Sequence, residues 1–196
     1  CPGAARGADG LADEHDGQVL IVEYHEGSDV FVNTESGVRQ SYYGSQAVRG
    51  YPAAIFDGVD TVIGGSSTGS MFFTYNARYN ARHAVTPPLE IKLEKSVDAY
   101  MTSGTLTATI TNTSSSTVSG TVHFTVTESH IPYTWQNLDT LDFVERAMLP
   151  NAQGEAITLT AGQEKVVTRE FTIDPSWPYF TNDDNIEFGC FMQSPA

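Results

Sequence analysis

Two positions, Cys1 and Pro52, carry side chains able to do chemistry in a recognisable setting. The opening Cys1-Pro2-Gly3-Ala4-Ala5 reads as a helix start with proline in the first turn. A thiol there meets the positive end of the helix dipole, which favours thiolate. Pro52 stands in Gly50-Tyr51-Pro52, at the mouth of the short apolar run Ala53 to Phe56. Proline cannot donate to a sheet ladder, so it belongs at a strand's first position. It either closes a loop or is a cis-proline in a tight turn. Asp57-Gly58 is a hairpin signal, returning the chain through Val59 to Ile63.

The remaining candidates are weaker. Cys190 falls on the apolar face of a strand and reads as a buried structural thiol. His15, His25, His83, His123 and His130 show no metal-type spacing, so no metal or other cofactor is expected. Asn182-Asp183-Asp184-Asn185 lacks the spaced oxygens of a calcium loop and reads as a turn. Asn112-Thr113-Ser114 is a formal glycosylation sequon. No phosphate loop, dinucleotide fingerprint or Gly-x-Ser-x-Gly motif is present.

The elements that must position these residues change character midway. Pro2 to Asp13 can form a helix, weakened by glycines at 3, 7 and 10 and therefore dependent on packing. Val19-Leu20-Ile21-Val22 is a continuous apolar run, suited to a strand covered on both faces. Asn33 or Thr34 can cap a helix to about Tyr43, stopped by Gly44. Met71, Phe72, Tyr75, Tyr79 and His83 set one face of a further helix, about Thr68 to Ala84. Thr86-Pro87-Pro88 then marks a boundary between residues 1–85 and 86–196. Beyond it the period is two. Leu89, Ile91 and Leu93, then Leu106, Ala108 and Ile110, then Val122, Phe124 and Val126 alternate with polar residues, His123, Thr125 and Thr127 among them. With Ile157, Leu159, Val167, Phe171, Ile173 and the run Ile186 to Met192, these predict an antiparallel β-sandwich. The stretch His130 to Gly154 reads as irregular, with Tyr133, Trp135 and Phe143 as candidate contact residues.

A Cys-Pro helix start, a strand, a helix and then Gly-Tyr-Pro before a hairpin resembles a thioredoxin-like domain. The match is to thioredoxin-like proteins related to the twenty-eight-kilodalton outer-membrane protein family. The segment Trp135 to Glu155 resembles a loop of that family's C-terminal Ig-like β-sandwich. The resemblance implies an α/β thioredoxin-like domain at 1–85 and an all-β Ig-like sandwich at 86–196. It further implies that Cys1 is the resolving thiol of a Cys-x-x-Cys pair and that Pro52 is cis and faces it. Cys1 has two other readings: the acylated first residue of a mature lipoprotein, or an incidental residue. The element order is the thioredoxin core without its first strand, so the numbering is expected to start inside the domain. A protein partner or an upstream segment is then expected to complete the sheet beside Val19 to Val22.

Composition bounds the function. The 196 residues carry 10 basic and 24 acidic side chains, a formal net charge of -14. Such a surface repels nucleic acid and anionic lipid. Charged residues are only 17% of the chain, which with abundant Thr, Ser, Gly and Asn suits an extracytoplasmic protein, in the periplasm or on the outer surface. No apolar run reaches a membrane span, and any signal peptide of an exported form is expected to have been removed. Two functions fit: a non-catalytic structural or interaction subunit of a cell-envelope assembly, or an envelope thiol–disulfide oxidoreductase whose first cysteine lies upstream.

Overall fold

Glycines expected to weaken the first helix instead form its packing face. The computed structural model describes residues 1–100 and 102–194, and in it α1 runs Pro2–Glu14. A Cβ at Gly7 would lie 2.9 Å from Met71 Cβ, and one at Gly10 would lie 3.0 Å from the Phe72 ring. The bare backbone face therefore lets α1 lie directly on α3, Phe72–His83. Between them α2, Thr34–Ala47, starts on a capping box in which the Asn33 side chain accepts from Ser36 N–H at 2.8 Å. Gly44 breaks the helical geometry with φ 66°, close to the expected stop.

The hairpin forms as its Asp-Gly signal requires. Strands β1, Ala53–Phe56, and β2, Asp60–Ile63, pair antiparallel around Asp57 and Gly58, both at positive φ. The Tyr51–Pro52 bond is cis.

Residues 89–193 build two antiparallel sheets. One has the order β3 (Leu89–Val97), β4 (Ser103–Asn112), β8 (Glu164–Thr172). In the other, β5 (Val118–Glu128) pairs along one edge with β7 (Glu155–Leu159) and β6 (Val144–Leu149) and along the opposite edge with β9 (Ile186–Gln193). The alternating residues Leu106, Ala108, Ile110, Val122, Phe124 and Val126 meet in a single core between the sheets. Strand β6 lies inside the stretch read as irregular, and its side chains are buried on both faces, which hides the period of two.

Two expectations are overturned. Val19 to Val22 is not a strand of the hairpin's sheet. It takes no regular secondary structure, and after it Glu23 makes a parallel bridge to Val144 at the edge of β6. Leu20 packs on the open site left by Gly189 of β9, where a Cβ would lie 2.5 Å from Leu20 Cδ1. Leu20 thus rests on the outer face of the sandwich while staying 42% exposed, and the run joins no parallel sheet. For the same reason His123, Thr125 and Thr127 of β5 are buried, although the alternation places them on a polar face. Among the described residues no helix is long and apolar enough to cross a membrane.

A buried ion pair ties the last irregular segment to this sheet. Arg146 donates from Nε and Nη2 to Glu128 Oε2 at 2.8 and 2.7 Å. Its Nη2 also reaches the Pro178 carbonyl, while Glu128 Oε1 accepts from Thr181 N–H and Oγ1. Removing one partner strands a buried charge, at a cost of about 3–5 kcal/mol. Arg146→Ala is expected to lower the unfolding free energy by about that much in chemical denaturation. The apolar double variant Glu128→Leu, Arg146→Met is expected to lose less than Arg146→Ala alone. A loss below about 1 kcal/mol for Arg146→Ala, the scale of an exposed pair, would contradict this account.

Candidate functional site

Helix α1, the hairpin and the loop before α3 bring Cys1 and Pro52 together. The Cys1 thiol donates to the Ser66 carbonyl at 3.1 Å, and Gly3 N–H donates to the same oxygen at 2.8 Å. Gly64 N–H donates to the Pro52 carbonyl, which anchors the returning strand beside the proline. A Cβ at Gly65 would lie 2.8 Å from Cys1 Sγ and 3.2 Å from Pro52 Cγ, so sulfur and proline ring face one another across a glycine. Both residues are half-buried or deeper in this corner. The corner holds the thiol against the proline ring.

The second cysteine is elsewhere. Cys190 sits on β9 opposite Phe124, and burial pushes its thiol up to about 12, against the opposing pull of Arg169. Both cysteines are free thiols. A thiol so reluctant to ionise makes a poor nucleophile.

Tyr133 and Trp135 pack with Phe31, Ile131, Leu141 and Val144 in a satellite cluster, each keeping part of its surface open. Phe143 takes a left-handed backbone, φ 57°, and its carbonyl accepts from Glu23 N–H at 2.8 Å. These three candidate contact residues therefore lie at the joint between the helical half and the sandwich. The sequon is internal as well: Asn112 is fully buried, and its Nδ2 donates to the Ser116 and Leu159 carbonyls. That amide already serves as a structural clamp. Asp183–Asn185 forms a short 3-10 turn, as its composition suggests.

The sequence reading missed the carboxylates at the joint. Burial, aided by repulsion from Asp9, pushes Glu23 up to about 7. Burial also lifts Glu145 to about 7, against a hydrogen bond from Asn33 Nδ2 at 2.9 Å. Asp9 is raised to about 6 by burial and by Asp142. The usable signal was an acidic residue directly following an apolar run, at Glu23, and directly following the Phe143-Val144 pair, at Glu145. Three groups with raised folded-state values hold protons that the unfolded chain releases. Their stabilisation is complete below the unfolded values and is lost as pH rises through about 6 to 7. His123 acts oppositely. Burial and Arg39 lower it to about 4, so its contribution is complete above the ordinary histidine value and fades as pH falls. The thermal midpoint is expected to be higher at about pH 6 than at about pH 8.5. Glu23→Gln and Glu145→Gln should each raise the midpoint at the higher pH and flatten the slope. A midpoint that climbs with pH across this window in the unsubstituted protein would refute the assignment.

No family model matches the chain, and no curated protein matches it. Among solved structures, the likenesses are to a β-glucosidase from Listeria innocua in complex with glucose, at 17% identity and TM-score 0.29, and to a β-D-glucoside glucohydrolase from Trichoderma reesei, at 14% identity and TM-score 0.23. The first covers 54% of this chain and 16% of the glucosidase; the second covers 57% and 19%. The chain thus spans under a fifth of the length of either enzyme, and likenesses at these scores carry no argument about its own activity.

Proposed function

We propose that this chain is a non-catalytic structural or interaction module of a bacterial cell-envelope assembly, with a thioredoxin-like first half and an Ig-like sandwich after it. The observation that carries the reading is the backbone of Val19 to Val22. Among the described residues, these four make no backbone–backbone hydrogen bond, although three of them are half-buried. Unmade backbone bonds are costly where water is excluded, about 1–3 kcal/mol for each group left unsatisfied. A strand from a protein partner or an upstream segment would satisfy them by pairing alongside. The low charged fraction and the Thr- and Ser-rich strands support an extracytoplasmic setting, in the periplasm or on the outer surface.

The second reading, a thiol–disulfide oxidoreductase completed by an upstream cysteine, draws on the approach of Cys1 Sγ to Pro52 across Gly65. An inward-turned sulfur, bonded to the Ser66 carbonyl, favours the thiol over an acyl anchor. Exchange chemistry needs an attacking and a resolving thiol. Cys190 cannot act as the second from β9 with its thiol held in the sandwich.

Two measurements on the 196-residue chain decide between them. Hydrogen exchange is expected to be fast at the Val19 to Val22 amides while those of Phe124 and Val126 stay protected. Insulin reduction is expected at background rate and unchanged by Cys1→Ser. Strong protection of the four amides in a monomer would remove the support for the interaction reading. Robust turnover abolished by Cys1→Ser would replace it with the redox one.

A further inference from the structure

A second site joins Arg39 and Gln193, 154 residues apart in sequence, where α2 covers the outer face of β5 and β9. A cavity of about 250 Å³ opens there, with Arg39, Tyr42, Thr121, His123 and Gln193 on its walls. Arg39 is 1% exposed, the largest fully buried side chain among the described residues. No carboxylate among the described residues pairs with it. Its Nη2 donates to two neutral acceptors, Tyr43 Oη at 3.1 Å and Gln193 Oε1 at 2.5 Å. Its Nε–H is buried without any acceptor. The rings of Tyr42, Tyr43 and Phe191 lie 4.8, 5.1 and 5.7 Å from the guanidinium carbon.

We propose that this cavity binds a small free carboxylate, with Arg39 as its anchoring cation. A buried guanidinium is expensive unless matched by an anion, and stacking on rings offsets only part of that cost. Arginine presents a planar fork that fits a carboxylate with two parallel bonds. Here one prong holds neutral acceptors and its neighbour, Nε–H, holds none. An entering carboxylate takes the place of Gln193 Oε1 on the fork, and the Gln193 amide, displaced by a rotamer change, can donate to the ligand. Thr121 supplies a hydroxyl from the wall. His123 has a buried Nδ1 without a partner and, with its value lowered to about 4, adds no competing positive charge at neutral pH. The volume lies just under the roughly 300 Å³ at which ligand pockets begin, which selects small metabolite-sized acids over peptides.

The test is a titration of the ¹⁵N-labelled chain with acetate and with succinate, following the Arg39 Nε–H resonance, with acetamide as the neutral isostere. Saturable shifts with the two acids and none with acetamide are expected. Inorganic phosphate, run as a further arm, is expected to bind at least tenfold more weakly than the better acid. Thr121→Trp fills the cavity from its open wall without touching the buried arginine, and is expected to weaken binding at least tenfold. Arg39→Gln should abolish it; if that variant does not fold, the wild-type and Thr121→Trp titrations decide alone. Absence of saturable acid shifts, equal shifts with acetamide, tighter phosphate binding, or unchanged affinity in Thr121→Trp would each overturn the proposal.

Discussion

Strand β5 is out of water on both faces, and the rest of the molecule is arranged around that constraint. Its inner face meets β4 and β8 through Val122, Phe124 and Val126. Its outer face carries His123, Thr125 and Thr127, which no free-standing sandwich would bury. They are covered because Leu20 and the chain around it lie over Gly189 of the neighbouring strand, and because α2 holds Arg39 against Gln193. A polar face so covered must find internal partners or leave its groups bare. Thr125 Oγ1 and His123 Nδ1 are left bare. The two halves are therefore joined through a surface whose polar groups are incompletely satisfied, unlike the apolar core between the sheets.

The joint itself is made by backbone. Glu23 N–H donates to Phe143 and Glu145 N–H donates to Glu23, a two-bond parallel bridge at the edge of β6. Phe143 adopts a left-handed backbone to aim its carbonyl at that bond. Parallel addition at an edge strand ties down one residue and leaves Val19 to Val22 without a ladder. The same geometry that fixes the first half to the sandwich thus leaves an unpaired segment beside it.

How much of this was legible follows from which signals are local. The Asp57-Gly58 turn, the Asn33 cap and the alternation of β4 each depend on residues within a few positions, and each formed as read. The helix start at Cys1 and the strand mouth at Pro52 are local signals too, and the structure brings the two residues together. What was not legible depends on which surface a segment lands on. Val19 to Val22 has the composition of a central strand, and only the tertiary contact with Gly189 tells otherwise. Strand β6 shows no alternation because α2 and the satellite cluster bury its outer side. Gly3, Gly7 and Gly10 lower helix propensity, yet their spacing of four and three places them on one face; that Gly7 and Gly10 meet α3 and Gly3 the loop before it needed the partner helix to be seen.

Burying charge in so acidic a chain admits three arrangements, and the protein contains each. Glu128 and Arg146 neutralise one another, with the remaining carboxylate oxygen held by Thr181. Glu23 and Glu145 take the second course: burial holds a proton on each to near neutrality, so little charge need be buried at all. Arginine cannot take that course, because its guanidinium keeps its proton at any pH a protein meets. Arg39 has neutral oxygens around it, the Tyr24 hydroxyl among them, and three aromatic faces. Among the described residues this arrangement leaves a guanidinium without a paired carboxylate, and it borders a cavity.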